Sequence, residues 1–487
     1  MPFAPAAADE KQILGIHLTG GATGNTIGGD NPILHRNAII TVVEQAPRRE
    51  AVAGGVGVRI DGGSRQNQLA NNFVGSTVDG QSRPLGAFGN VLGIDCRADD
   101  NSFSDCFVVN SFLDGMVIQG RDNEVRRCDV GGDGLINDRH GLVVETGSFK
   151  NIFLDSIFCH NGQCGAYVGE ATGAPERQQN TFLECLFADN GHCGMELFQV
   201  TRNLVAESDF LDNGANAPAM EGDGARLVFS HSNTFRENLF ARNIRAGMQL
   251  SSSNRNTVEH GEFNCNGWAW RERNCAANRF IANRVAAAGL CGGDPDHYRG
   301  VYSEDSRSRY MANSFPGGPA GEVIVGAGSA RASAVPTLRF NNILLGYVIN
   351  NTTQVLDARH NWWGTTTGSG TPDAAAMVGP VDAGDSLEQP VELLIAGPSE
   401  CRVNPGSEVA LEFRLLNDTA SVGTWSLAAV DESGWSVSLP PAIDCLPGDV
   451  STVSCTLTVP ADAAVEAVNV VTVSAESARQ ADGPLIR

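Results

Sequence analysis

The chain has 487 residues, 42% of them hydrophobic and 18% charged, with 56 Gly and only 5 Tyr. That length exceeds one ordinary compact domain, and the hydrophobic share excludes wholesale disorder. A formal charge of −22 excludes the basic face that nucleic-acid binders need and disfavours an anionic membrane surface.

No stretch approaches the ~18 uninterrupted apolar residues of a membrane-spanning helix. Residues 1–14 lack a charged start followed by an apolar run, so no intact signal peptide is expected. Gly15-Ile16-His17-Leu18 and Asn25-Thr26-Ile27-Gly28-Gly29 already read as repeat sequence, so the expectation is a mature or truncated form. Thirteen cysteines point to an oxidising compartment, and the odd count leaves at least one thiol unpaired.

From residue 101 the chain falls into register on Asn101, Asn123, Asn151, Asn180, Asn203, Asn233, Asn256 and Asn278, at spacings of 22 to 30. Two positions later stand Phe103, Val125, Phe153, Phe182, Val205, Phe235, Val258 and Phe280, and seven positions later another apolar residue. Five positions after each Asn the residue is small or polar, from Cys106 and Cys128 to Asn238 and Asn283. A Gly then opens a short alternating run, as in Gly194-Met195-Glu196-Leu197. Period-2 patches broken by Asn and Gly are strands and tight turns rather than helices. Three such patches in a period near 22 describe one coil of a parallel β-solenoid. Stacking at ~4.8 Å would put Phe on Phe and Asn on Asn.

These residues resemble the right-handed parallel β-helix repeat family. Asn180-Thr181-Phe182, Asp189-Asn190-Gly191 and Gly194–Leu197 match its coil, and Asn361-Trp362-Trp363-Gly364 followed by Gly379-Pro380 looks like the motif that closes such solenoids. The resemblance implies the fold over residues 15 to 380 and is nearly silent on function, since the family spans pectate lyases, polygalacturonases, alginate-active enzymes, phage tailspikes and adhesins. The expected fold is all-β: a 1–14 segment, a right-handed parallel β-helix over 15–384, and a small antiparallel β-sandwich over 385–487. The last part, with six or seven short strands and Asn404-Pro405-Gly406 and Gly434-Trp435 punctuation, resembles the immunoglobulin-like modules of bacterial glycosidases and surface proteins. Cys401, Cys445 and Cys455 allow one bridge there.

Insertions in a solenoid map to loops, and loops carry function. The distance from anchor Asn to strand Gly is 14 in four coils, but 18 from Asn123 to Gly141 and 21 from Asn203 to Gly224. Two loops, Gly131–His140 and Ala215–Asp223, are therefore expected to wall a notch. Its floor would carry His160, Gln163, Asp189 and His192. Its walls would offer Asp133, Asp138, Arg139 and His140 on one side, Glu221 and Asp223 on the other. Here His160 or His192 would act as acid or base, Arg139 would hold a substrate anion, and Asp189, Glu221 or Asp223 would supply a carboxylate. Calcium held by loop carboxylates is a further expectation.

An outward row four positions after the anchor, Asp105, Arg127, Asp155, Glu184, Glu207, Glu237 and His260, offers carboxylates at glycosidase-like spacing or simply a solvated acidic face. Tyr167, Trp268 and Trp270 offer aromatic faces to sugar rings, with a core cluster as the alternative for the two Trp. Cys164 and Cys193, each just before a strand Gly in adjacent coils, are expected to form a disulfide under the notch, while Cys106 and Cys128 stack as interior thiols. Catalytic signatures of the polygalacturonases are missing, and with Lys150 the only lysine in the repeats a Lys-based lyase is disfavoured. The function expected is a secreted or cell-surface protein that binds, and as hydrolase or lyase cleaves, an extracellular polysaccharide. The competing expectation is a non-catalytic surface, adhesion or structural protein. The negative charge favours neutral glycans unless calcium or Arg intervenes.

Overall fold

The computed structural model describes residues 13–29, 37–39, 55–76, 90–132, 135–145, 147–169, 176–214, 222–285, 299–315, 322–325, 334–339, 341–344, 347–364, 376–384, 386–387, 393–396, 403–417, 423–431, 433–445, 450–463 and 471–477. Asp133, Glu221, Cys291 and Cys401 lie outside them.

Each coil contributes one strand to each of three long parallel sheets. Among the described residues the first sheet has 14 strands, from Ile13–Leu18 to Ala376–Val378; the second has 14, from Thr26–Gly28 to Val381–Asp382; the third has 12, from Asn37–Ile39 to Asn342–Ile343. The register is the one the Asn spacing predicts: Phe103, Val125, Phe153, Phe182, Val205, Phe235, Val258 and Phe280 pair in unbroken succession in the second sheet. The third sheet stacks Phe187, Phe210, Phe240 and Phe263 with ring centroids 4.8 Å apart and planes within 12°. These rings are at most 1% exposed. Burial of each contributes about 1.5–3 kcal/mol, and the offset stacking repeats that contribution coil after coil.

The corners need a different solution, because a turn leaves backbone amides that no sheet ladder reaches. Each anchor Asn accepts the backbone N–H of the preceding coil's Asn on its Oδ1. The bonds measure 2.9 Å from Asn101 to Asn123, 2.9 Å from Asn123 to Asn151 and 3.0 Å from Asn180 to Asn203. A second ladder runs through Asn137, Asn161, Asn190, Asn213, Asn243 and Asn266. A third uses the position five after the anchor: Ser156 and Ser208 accept from Cys128 and Cys185, and Asn283, Asn313 and Asn341 continue it.

The corners also turn through left-handed backbone. Asp105, Arg127, Asp155, Glu184, Glu207, Glu237 and His260 all have φ between 49° and 56°. So do Asn110, His160, Asp189, Asp212 and Arg242, nine positions after their anchors, at φ of 54° to 55°. Asn, Asp and His are the non-glycine residues most enriched there. The strand-opening glycines answer another need: a Cβ on Gly194 would sit 2.6 Å from the carbonyl oxygen of Gly224.

Antiparallel pairing begins at Leu393. One sheet orders Leu393–Ala396, Glu408–Asn417, Val450–Thr458 and Ser436–Ser438; the other orders Ala442–Cys445, Gly423–Asp431 and Val471–Ser477. Leu415, Trp425, Leu427, Cys445 and Val453 form the core between them. Cys455 is a buried free thiol, so any bridge in this part leaves it out. Cys106 and Cys128 are likewise buried thiols, as expected.

Candidate functional site

Four neighbouring strands of the first sheet, Leu142–Val144, Ala166–Gly169, Met195–Phe198 and Asp223–Val228, alternate in and out. Leu142, Val168, Leu197 and Leu227 enter the core, while Tyr167, Glu196 and Arg226 form an outward row in register. Next to this row, where the chain enters the strands, lies a cavity of ≈ 290 Å³ lined by His140, Gln163, Tyr167, His192, Glu196, Asp223 and Arg226. That volume is at the lower end of the ~300–1,000 Å³ typical of small-molecule sites. Its floor is the predicted disulfide, Cys164–Cys193, with Cα atoms 4.6 Å apart.

Asp223 is the unusual group. It is wholly buried, neither carboxylate oxygen has a hydrogen-bond partner, and Arg245 approaches only to 3.6 Å. Burial pushes its carboxyl up to about 6; Arg245, Arg226 and Arg271 pull the other way, and Glu196 adds to the rise. A buried carboxyl whose pKa lies near neutrality, at the edge of a cavity, has the character of a general acid. The sequence placed Asp223 on a loop wall; the structure makes it the first residue of a strand, which is why it is buried.

His140 is held by two contacts. Its Nδ1 accepts the N–H of Cys164 at 3.3 Å, and its ring packs on Tyr167 with centroids 5.2 Å apart. Burial drives the imidazole down to about 4, opposed by Asp114 and aided by Arg139 and His192. At neutral pH the ring is therefore uncharged, and the Nδ1 bond assigns its proton to Nε2. His140 presents a donor rather than a base. Gln163 and His192 are set in place by the coil ladder, the N–H of His192 donating to the Gln163 carbonyl at 2.9 Å.

The structure separates the other expected residues from this cavity. Arg139 does not reach out to an anion: its Nε donates to Asp114 at 2.8 Å and a terminal nitrogen closes a second bond to the same carboxylate, which pins the turn before the strand. His160 and Asp189 meet each other at 3.9 Å, but as half-exposed and exposed corner residues that do not line the cavity. Glu184, Glu207 and Glu237 are corner residues too, and Arg127 in their row is tied to Asp105 by two 2.7 Å bonds. The row shares one left-handed corner position and stands apart from the cavity. Trp270 is fully buried and stacked 4.7 Å from Phe280 in the core, whereas Trp268 stays half-buried at the surface.

Glu196 and Arg226 escaped the sequence reading. Both sit at the outward position two after the strand Gly, where Val143, Tyr167, Gln249 and Arg271 also occur, so the row carries no recurring residue type to reveal it. The available signal was a lone carboxylate between Met195 and Leu197. A larger cavity, ≈ 440 Å³, opens on the second sheet around Ser102, Ser104, Glu124 and Arg126, but the Asp105–Arg127 pair at its edge is already satisfied. Among the described residues, one group of three His, Cys or carboxylate ligand atoms lies within 4.8 Å: Cys164, Cys193 and Glu196. Its two sulfurs are joined to each other, so it holds no metal in this form.

Residues 140–313 match the family model described as a right handed beta helix region. No curated protein matches the chain by sequence. Among solved structures, the chain is similar to the periplasmic alginate epimerase AlgG at 13% identity, over 68% of this chain and 74% of that one, with a TM-score of 0.38. It is similar to tailspike protein 2 of an Escherichia coli O157:H7 bacteriophage at 10% identity, over 93% of this chain and 61% of that one, with a TM-score of 0.42. The A-module of an Azotobacter vinelandii mannuronan C-5 epimerase, AlgE6, is similar at 12% identity, over 68% and 80%, with a TM-score of 0.36. No helix among the described residues is long and apolar enough to cross a membrane.

Proposed function

We propose that this right-handed parallel β-helix protein binds an extracellular polysaccharide along the outer face of its first sheet and hydrolyses it at the cavity around Asp223. The observation that carries the reading is the pair of carboxylates lining one cavity, Asp223 pushed up to about 6 by burial and Glu196 beside it on the half-exposed row. Environments that force two carboxylates apart assign acid and base between them. Asp223 gives its proton to the glycosidic oxygen as the bond to the anomeric carbon breaks. Glu196 takes a proton from the water whose oxygen bonds to that carbon, so the products together contain one added water. His140 donates from Nε2 to a sugar hydroxyl, and Tyr167 offers a ring face.

The test is a screen of neutral and acidic polysaccharides read for retention, new reducing ends and unsaturated-product absorbance. Asp223→Asn and Glu196→Gln should each lower the rate of new reducing ends by ~10²–10⁴. Unsaturated ends would replace hydrolysis with elimination. Retention without turnover would leave a non-catalytic binding protein, a surface or adhesion role. Calcium is a further part of this reading, and repeating the screen with calcium and with EDTA tests it. The Cys164–Cys193 bridge supports placing the protein outside the reducing cytosol, secreted or at the cell surface.

A further inference from the structure

We infer that Trp268, Arg271 and Tyr302 form a subsite for an acidic sugar residue, two coils beyond Asp223 on the same sheet face. The inference rests on the glycan reading above and deepens it by naming the substrate class. Asp223 pairs with Ala246 in the next strand, and Trp268–Arg273 is the strand after that. Two coil spacings are ~9.6 Å, close to two residues of an extended 1,4-linked chain.

The outward row continues from Arg226 through Gln249 and Arg271 to Tyr302. Arg271 therefore has neutral neighbours across both strand pairs. Its guanidinium lies 4.8 Å from the Tyr302 ring centroid and 5.9 Å from that of Trp268, and the two rings meet edge to face at 5.2 Å. Its buried Nε has no hydrogen-bond partner. The acids on the flanking positions already have partners. Glu272 faces the interior, where Asn278 and Ser308 donate to Oε1 at 2.8 and 2.7 Å and Tyr310 to Oε2 at 2.5 Å; Glu304 pairs with Arg273 at 3.5 Å and accepts the Tyr302 hydroxyl at 3.5 Å. Among the described residues, a chain of net charge −22 thus keeps on its outward row an arginine that lies against two aromatic rings and has no carboxylate bonded to it.

A guanidinium lying against aromatic rings keeps an edge for two parallel bonds to a carboxylate, which is what a uronic acid carries and a neutral hexose lacks. The ring of the same sugar would lie on Trp268. The positive field of Arg271 already reaches Asp223, so an acidic residue docked here would weaken that field and raise the Asp223 carboxyl further, favouring its acid form.

The experiment is affinity electrophoresis of the full chain through gels containing polygalacturonate or polymannuronate, and through gels containing the carboxyl-reduced forms of the same polymers. Wild type should be retained by at least one acidic polymer about ten-fold more strongly than by its reduced form. Arg271→Gln should remove that discrimination, Arg271→Lys should restore part of it, and Trp268→Ala should weaken both members of the pair. Asp223→Asn should keep the discrimination and lose turnover, which separates the two proposals. Equal retention of acidic and reduced polymers, or undiminished discrimination in Arg271→Gln, overturns the subsite and leaves the Asp223 chemistry standing. Turnover surviving in Asp223→Asn overturns the cleavage reading alone. Retention by none of the four polymers overturns both.

Discussion

Replacing Asp223 by Asn should change the pH dependence of stability by an amount that the structure fixes. The Asp223 carboxyl is raised from 3.8 to about 6 in the fold. Well below pH 3.8 the folded and unfolded chains both hold this proton, and no penalty exists. As pH rises from 4 towards 6 the unfolded chain ionises while the folded one keeps its proton, so the folded state loses ground. Above about 6 the loss is complete. Roughly two pKa units at 1.36 kcal/mol each make it about 3 kcal/mol, with the attraction of Arg245 already inside that figure. Asn carries no such slope. About 1 kcal/mol of this is already present at pH 4.5, so the variant's stability relative to wild type should improve by about 2 kcal/mol between pH 4.5 and pH 8, whatever the fixed cost of the substitution. For a solenoid of ~370 residues melting as a unit, at ~2.1 cal/mol/K per residue, this is a change of about 2.5 °C in the gap between the two melting temperatures. Calorimetric or fluorescence melts at pH 4.5 and pH 8 measure it. A gap that stays constant would show that Asp223 is an ordinary ionised carboxylate, and the acid assigned to catalysis would be lost with it. The kinetic counterpart has the same sign: the rate should fall as pH rises through about 6.

Reducing Cys164–Cys193, or replacing both residues by Ser, should destabilise by about 3–4 kcal/mol in the loop-closure estimate for a separation of 29 residues, visible as a lower melting temperature with dithiothreitol. Asn190→Ala should cost about 2–4 kcal/mol by urea denaturation. It strips the Oδ1 that accepts the Asn161 amide and the Nδ2 that donates to the Phe158 carbonyl at 3.0 Å, leaving both stranded in the interior. Glu207→Gly, at a left-handed corner, should alter stability by no more than about 1 kcal/mol and leave any turnover intact, since relief of backbone strain and added chain entropy nearly cancel. Loss of turnover in that variant would return the acidic row to the active surface.

The solenoid was legible because its constraint repeats. A ring that must stack on a ring, such as Phe182 on Phe153, or an Asn that must cap the coil before it, such as Asn180, leaves the same letter at the same phase each time. The site was legible only where it borrowed those landmarks. His140 and Asp223 stand immediately before strand glycines, and the cysteine pair occupies the same position in the coils between. Glu196 and Arg226 face outward, where packing imposes no residue type, and so left no periodic trace. His160, Asp189 and the Glu184–Glu207–Glu237 row read as clustered chemistry because a left-handed corner recurs at the same phase of every coil. None of them lines the cavity beside Asp223.

Coils that touch only the coil before and the coil after make the molecule a linear array of coupled units, with stability set by interfaces between nearest neighbours. The proposed glycan face runs from the coil of His140 to that of Tyr302, and among the described residues seven first-sheet strands flank it, four on one side and three on the other. Opening from either terminus would unzip flanking coils before reaching it. A rupture between Met195–Phe198 and Asp223–Val228 would instead cut the proposed catalytic pair apart, with Glu196 on one side and Asp223 on the other. The array therefore has expendable ends and an indispensable midpoint, and the disulfide fastens the midpoint on the side where Glu196 lies.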